Sequence, residues 1–154
     1  MQEKEKIKIR HIKPEEKSEL IELIKELAEF EKLDPPDKSA QIRLLKEVFR
    51  LNPSLYVLVA IEGKKIIGYA IYFFTFSSFK GLKTLYLEDI YVTEEYRRYG
   101  VGKKFFKRLL NIAKFNKCGR MEWAVLNWNK NAIKFYKKLG AKPLDEWTYY
   151  RMDF

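Results

Sequence analysis

The run Arg97-Arg98-Tyr99-Gly100-Val101-Gly102 sets two glycines two residues apart behind a pair of arginines. It falls between an apolar strand-like run, Leu85 to Val92, and a helix-like run, Lys103 to Asn116. Glycine carries no Cβ, so the backbone can turn sharply and let an anion approach its N–H groups. A helix beginning at Gly102 adds unpaired N–H groups and the positive end of its dipole. These residues make a cradle for phosphate, and a pyrophosphate is the natural tenant. The spacing is neither G-x-x-x-x-G-K-[ST] nor G-x-G-x-x-G, which argues against a P-loop nucleotide and a Rossmann-bound dinucleotide. A glycine pair at a strand-to-helix turn also has a purely steric reading, so the neighbouring segments decide between the two.

Those segments alternate between two periods. Ile7 to Ile12 alternates apolar and polar residues as a short strand does, and Pro14-Glu15-Glu16 opens a helix with Leu20, Leu23, Ile24, Leu27 and Phe30 on one face. That helix ends near Asp34-Pro35-Pro36. A second helix is expected from Ser39 to Arg50, capped by Ser39 and closed before Pro53. Leu55 to Ile61 and Ile66 to Thr75 read as a hairpin around Glu62-Gly63-Lys64-Lys65, and Leu85 to Val92 as the next strand. Phe76 to Lys83 between them reads as a loop with exposed aromatics. Lys103 to Asn116 repeats Phe105, Phe106, Leu109, Leu110 and Ala113 at helical spacing. A strand from Met121 to Leu126, a short helix from Asn129 to Leu139 ended by Gly140, and a last strand from Thr148 to Met152 complete the chain. The order β-α-α-β-β-β-α-β-α-β predicts an α/β fold, a mixed central sheet with helices on both faces.

A chain of 154 residues, 47% hydrophobic, fits one domain spanning 1–154 with a real core. The charged stretch Met1 to Lys8 and the lack of an apolar run near 18 residues predict a soluble, cytoplasmic protein. One cysteine, Cys118, allows no internal disulfide, and one histidine, His11, allows no Cys/His metal cluster, so no metal is expected. Cys118 reads as a small half-buried apolar residue and His11 as a surface residue. The net charge of +10 raises a nucleic-acid reading, but the lysines are spread over every segment and the aromatics sit mainly in apolar strand runs. The charge therefore reads as solvation and ion pairing, with part of the excess suited to a polyanionic ligand.

R-x-x-G-x-G is the acyl-CoA pyrophosphate motif of the GNAT N-acetyltransferases, and the chain resembles that family along most of its length. Four stretches are similar to its diamine/polyamine branch, the spermidine/spermine and thialysine N-acetyltransferases. They are Leu23-Ile24-Lys25-Glu26-Leu27-Ala28-Glu29-Phe30-Glu31, Tyr69-Ala70-Ile71-Tyr72-Phe73-Phe74-Thr75-Phe76, Leu85-Tyr86-Leu87-Glu88-Asp89-Ile90-Tyr91-Val92, and Trp128-Asn129 with Phe135-Tyr136-Lys137-Lys138-Leu139-Gly140-Ala141. The resemblance implies the GNAT fold with a splayed cofactor cleft, a homodimer, acetyl-CoA as co-substrate, and transfer to a primary amine by direct attack in a ternary complex.

It also implies roles. Glu88 of the Tyr-Leu-Glu-Asp string would take the amine proton through water, and Tyr136 would offer its phenol to the departing thiolate; a phenol stays protonated at neutral pH and can donate from an apolar setting. Ile90, Tyr91 and Val92 would pair with the pantetheine arm as an added strand. Arg97, Arg98, Tyr99, Gly100, Val101, Gly102 and Lys103 would hold the pyrophosphate. Asn129 would reach the cofactor or ordered water, and it would also suit the N-cap of the following helix.

For the acceptor, Glu26, Glu29, Glu31, Asp34 and Asp37 form an acidic patch in a basic chain, which suits a cationic amine and also a solvated helix face. Glu31, Phe79 and Asp89 are the expected substrate-binding residues. The loop from Ser77 to Gly81 departs from the branch, which has an acidic residue and a tryptophan where Ser77 and Phe79 stand. That loss weakens the case for a long polyamine and keeps a diamine, agmatine or a lysine-like amino acid in play. A protein lysine or N-terminal amine, a non-catalytic acyl-CoA sensor, and a nucleic-acid-binding module are the alternatives.

Overall fold

Four apolar strands return upon one another to form an antiparallel meander, and a fifth joins its edge in parallel. In the computed structural model, which describes residues 7–154, these are β1 (Lys8–His11), β2 (Tyr56–Glu62), β3 (Lys65–Ser77), β4 (Leu82–Val92) and β5 (Arg120–Trp123), in the spatial order β1-β2-β3-β4-β5. The helices are α1 (Lys17–Glu31), α2 (Lys38–Val48), α3 (Val101–Phe115) and α4 (Lys130–Lys138). The chain divides into two compact units, Met1–Ala124 with the whole sheet and Val125–Phe154 with α4. Among the described residues no helix is long and apolar enough to cross a membrane.

Successive strand residues point to opposite faces, and the two faces carry different helices. Leu20, Ile21, Leu23, Ile24 and Leu27 of α1 pack with Val57, Val59, Ile66, Tyr69, Ile71 and Tyr91. Each such side chain taken from water contributes about 1.5–3 kcal/mol. On the other face α3 buries Val101, Phe105, Phe106, Leu109 and Ala113, with Phe106 edge-on to Trp123 of β5 at 5.1 Å between ring centres. The expectation of helices on both faces of a mixed sheet is met.

Local chemistry moves several boundaries. Pro14–Glu16 forms a 3-10 turn before α1, and α1 closes at Lys32, which takes the left-handed region (φ 58°) so that its N–H can reach the last carbonyls. The cap of α2 is Asp37 rather than Ser39: its carboxylate accepts from the Ala40 N–H at 2.7 Å, while the Ser39 hydroxyl accepts from Arg43 at 2.7 Å. The segment expected as a loop from Phe76 to Lys83 is mostly strand, because β3 and β4 keep pairing out to Ser77 and Leu82 and leave only residues 78–81 to turn. β5 ends at Trp123, short of the expected Leu126. His11 is exposed, as expected, but it is not a bare surface group, since its Nε2 lies 2.9 Å from the Tyr72 hydroxyl.

The last expected strand, Thr148 to Met152, does not form. A strand is made by the neighbour that takes up its backbone groups, and the described sheet stops at β5. Tyr149, Tyr150 and Met152 are instead exposed.

Candidate active site

The segment expected to cradle a phosphate is shaped by its backbone geometry. Arg98 (φ 69°) and Gly100 (φ 78°) both take left-handed conformations, which turns the chain from β4 into the first residue of α3. Gly100 is the N-cap residue, and α3 starts at Val101, one step earlier than the expected start at Gly102. The first intrahelical bond of α3 runs from the Lys104 N–H to the Gly100 carbonyl at 3.1 Å, so the Val101, Gly102 and Lys103 N–H groups precede the ladder. The Val101 side chain is buried and pins this end, whereas Arg98, Tyr99, Gly100 and Lys103 are exposed. The first turn holds no acidic residue. Unpaired N–H groups, exposed cations and a glycine with open space at its Cβ position fit the pyrophosphate of a nucleotide-linked thiol. Arg97 does a different job: its guanidinium lies over the rings of Phe30 (4.7 Å) and Tyr91 (5.4 Å), and its Nε donates to the Val92 carbonyl at 3.0 Å. It braces the strand that leads into the cradle.

Beside the cradle, β4 outlasts its parallel neighbour. β5 matches Thr84 to Leu87 only, the last pair being Leu87 with Trp123. Among the described strands, nothing pairs with that edge of β4 from Glu88 to Val92, while β3 holds the opposite edge. An extended chain with amide groups can therefore add there as a strand.

Glu88 is the extra residue of a β-bulge. Ile71 of β3 pairs with Asp89 and the next residue, Tyr72, pairs with Leu87, so Glu88 has no partner across the ladder and is exposed. A bulge re-aims the strand that carries it. It resets the alternation of β4, so that Asp89 and Tyr91 share the α1 face with Ile71 and Tyr69.

That face gathers acids and phenols. The Tyr91 hydroxyl donates to Glu26 of α1 at 3.1 Å. Burial, reinforced by the negative charges of Glu88 and Glu31, pushes the Asp89 carboxyl up to about 7. Burial also raises Glu31 above the usual carboxylate range. Tyr69 is fully buried, and its hydroxyl makes no hydrogen bond of good geometry among the described residues, although it lies near enough to Asp89 for each to perturb the other's ionisation. Such a cluster can hold a cation: an arriving ammonium stabilises carboxylates that are otherwise costly to ionise.

Glu31, Glu88, Asp89, Ile90, Tyr91 and Val92 are thus brought together at the unpaired part of β4 and the end of α1. Phe79 is not. It stands fully exposed in the turn between β3 and β4, and the seven steps from Leu82 to Asp89 span about 23 Å of strand. In the second unit, Asn129 caps α4, its side-chain oxygen accepting from the Ala132 N–H at 3.2 Å, and Tyr136 lies on that helix with its ring 5.6 Å from Phe135. The cap expected of Asn129 is present. In sequence Tyr69 reads only as a strand residue; its alternation with Ile71 is the signal that places it on the acidic face.

Comparison with known proteins agrees with this geometry. The acetyltransferase (GNAT) family matches residues 18–141. The thialysine N-epsilon-acetyltransferase of Bos taurus is 37% identical over 158 residues, covering 96% of this chain and 92% of its own. The spermidine/spermine N(1)-acetyltransferase-like protein 1 of Homo sapiens is also 37% identical, over 155 residues, or 94% of this chain and 22% of that protein. Among solved structures, an integron cassette protein from V. cholerae superposes with a TM-score of 0.82 at 27% identity, covering 96% of this chain and 93% of that one. The chain belongs to the acetyltransferase (GNAT) family and is an acetyl-CoA-dependent N-acetyltransferase.

Proposed function

We propose that this enzyme acetylates the terminal amine of a small lysine-like amino acid or short diamine. The observation that carries the reading is the half-buried pair of acids, Asp89 and Glu31, beside the unpaired edge of β4. An amine that brings a positive charge is attracted there, and the turn at 78–81 offers no carboxylate for the far end of a long polyamine. The thialysine-acetylating relatives, which align over nearly their whole length, support the same class.

In this reading, acetyl-CoA supplies an activated acetyl thioester. The backbone of Ile90 to Val92 aligns the cofactor's extended arm, and Arg98 to Lys103 hold its pyrophosphate through backbone N–H groups and side-chain charge. Asn129, with its oxygen engaged as a cap, meets the cofactor through its amide NH2. Asp89 and Glu31 receive the charged amine. Glu88, aimed by the bulge, takes the proton from the attacking nitrogen through water, and Tyr136 gives its phenolic proton to the departing sulfur. The nitrogen gains the acetyl group, the thioester carbon–sulfur bond breaks, and free thiol leaves.

The enzyme works in this reading as a homodimer. Trp147, Tyr149, Tyr150 and Phe154 expose large aromatic surface in one short segment, and a second chain would cover it. Phe79, exposed at the hairpin tip, contributes in this reading to the amine site of a second chain. Sedimentation at micromolar concentration tests the dimer.

The deciding experiment measures CoA release from acetyl-CoA with thialysine, lysine, ornithine, putrescine, agmatine, spermidine, spermine and a basic peptide. Turnover greatest with thialysine or a short diamine supports the proposal. Greatest turnover with the peptide replaces it with a protein acceptor, and acetyl-CoA binding with no turnover on any amine replaces it with a sensor.

A further inference from the structure

Tyr69 is the one large polar side chain that lies wholly inside the α1 face with no good hydrogen bond among the described residues. A buried hydroxyl without a partner costs stability that a phenyl ring of the same shape would not. Its setting says what the hydroxyl serves. Tyr69 pairs in register with Tyr91, and Ile71 pairs with Asp89, which makes Asp89 the diagonal cross-strand neighbour of Tyr69 on one face.

The other charged groups around this pair are accounted for. Glu26 and Glu31 come from α1, and Glu88 precedes Asp89 on β4. Glu26 is engaged by the Tyr91 hydroxyl, and Arg97 is spent on the rings of Phe30 and Tyr91 and on the Val92 carbonyl. Among the described residues no lysine or arginine forms an ion pair with Asp89, so the Tyr69 hydroxyl is the protein donor in place to support its ionised form.

We propose that Tyr69 is a positioning residue of the amine site, whose buried hydroxyl donates to Asp89 when that carboxylate becomes the counter-ion of an incoming ammonium group. The inference rests on the acceptor-site reading above and deepens it. A carboxylate with one oxygen held by the phenol presents the other in a single orientation, and the donor favours ionisation of Asp89 in the pH range where the enzyme must accept a cation. Tyr69 thus sets the lower pH limit of amine capture without touching the amine.

The test uses Tyr69→Phe in the full chain, Asp89→Asn as its reference, and thialysine and spermidine as probes. Carboxyl-carbon NMR titration, with the Asp89 signal assigned through Asp89→Asn, should show its midpoint moving up by about half to one pH unit in Tyr69→Phe. The acid limb of kcat/KM should move with it. The amine KM at pH 7 should rise about three- to tenfold while kcat at saturation and the acetyl-CoA KM stay within about twofold. In the Asp89→Asn background Tyr69→Phe should add nothing to the amine KM. An unchanged Asp89 midpoint and acid limb in Tyr69→Phe overturns the inference, because a packing role would leave both in place or alter kcat and KM without them. Should Asp89→Asn raise the amine KM while Tyr69→Phe does not, this inference alone fails; should Asp89→Asn leave the amine KM unchanged, the acceptor-site reading fails and takes this one with it.

Discussion

Phe105 of α3 stands over Gly68 of β3: a Cβ placed on Gly68 would lie 3.3 Å from the Phe105 ring and 2.6 Å from the Tyr91 carbonyl oxygen. The close approach seats the helix that starts at the phosphate cradle directly on the strands that flank it. Gly68→Ala should therefore push β4 away from β3 and lower stability by about 1–3 kcal/mol, the usual cost of overpacking. Urea denaturation gives the loss, and a weakened acetyl-CoA titration in the same variant should accompany it. A fully stable variant would show that the backbone relaxes there at little cost.

Gly100 carries φ 78° with nothing within 4 Å of its Cβ position. Gly100→Val places a branched side chain in a left-handed conformation and in the path of an anion, costing about 1–2 kcal/mol in stability. Calorimetric titration should show acetyl-CoA affinity down at least about tenfold. Unchanged affinity would remove the cradle assignment.

Tyr136→Phe keeps the ring and deletes the proton donor. Turnover should fall by about 10²-fold or more with acetyl-CoA affinity nearly intact. Wild-type turnover would exclude Tyr136 as the acid.

Glu88 sits in the bulge without a cross-strand partner, so Glu88→Gln should disturb little packing. Single-turnover acetylation should slow by about 10²-fold at pH 7, the scale of a lost base. A rate equal to wild type would give the proton to another acceptor.

Asp89 also links stability to pH. Its folded-state midpoint of about 7 lies above the ordinary carboxylate value, so the folded protein holds this proton more tightly than the unfolded chain does. The contribution is full at low pH and is lost as pH rises from about 4 to about 7. Ligand-free wild type should therefore lose stability across that window relative to Asp89→Asn, in which the dependence is removed. Parallel urea curves at pH 4, 5.5 and 7 make the comparison; identical slopes would show that Asp89 ionises as freely as in an unfolded chain.

Elements whose signal is local were legible in the sequence. The apolar stripe of Leu20, Leu23, Ile24 and Leu27, the strand runs from Tyr56 to Val92, and the Asn129 and Gly140 ends of α4 follow from periodicity and capping chemistry, which act over a few residues. The R-x-x-G-x-G run carried its own backbone requirement, because left-handed φ at Gly100 is written in the residue type. Thr148 to Met152 shows the opposite case: its residues favour a strand, yet a strand needs a neighbour's hydrogen bonds, which no local pattern can promise.

The site divides along the same line. Residue types and spacing pointed to a cradle for a pyrophosphate and to acids suited to an amine, and the resemblance to the GNAT family added the thioester. Only the tertiary structure decided that Glu88 is a bulged residue, that the bulge turns Asp89 onto the face of α1, and that Glu31, Glu26, Tyr69 and Tyr91 meet it there. Register and burial are properties of contacts between segments distant in sequence. A one-residue slip of β4 against β3 would send Asp89 and Tyr91 to the other face, away from Glu26, Glu31 and Tyr69, with no change in composition.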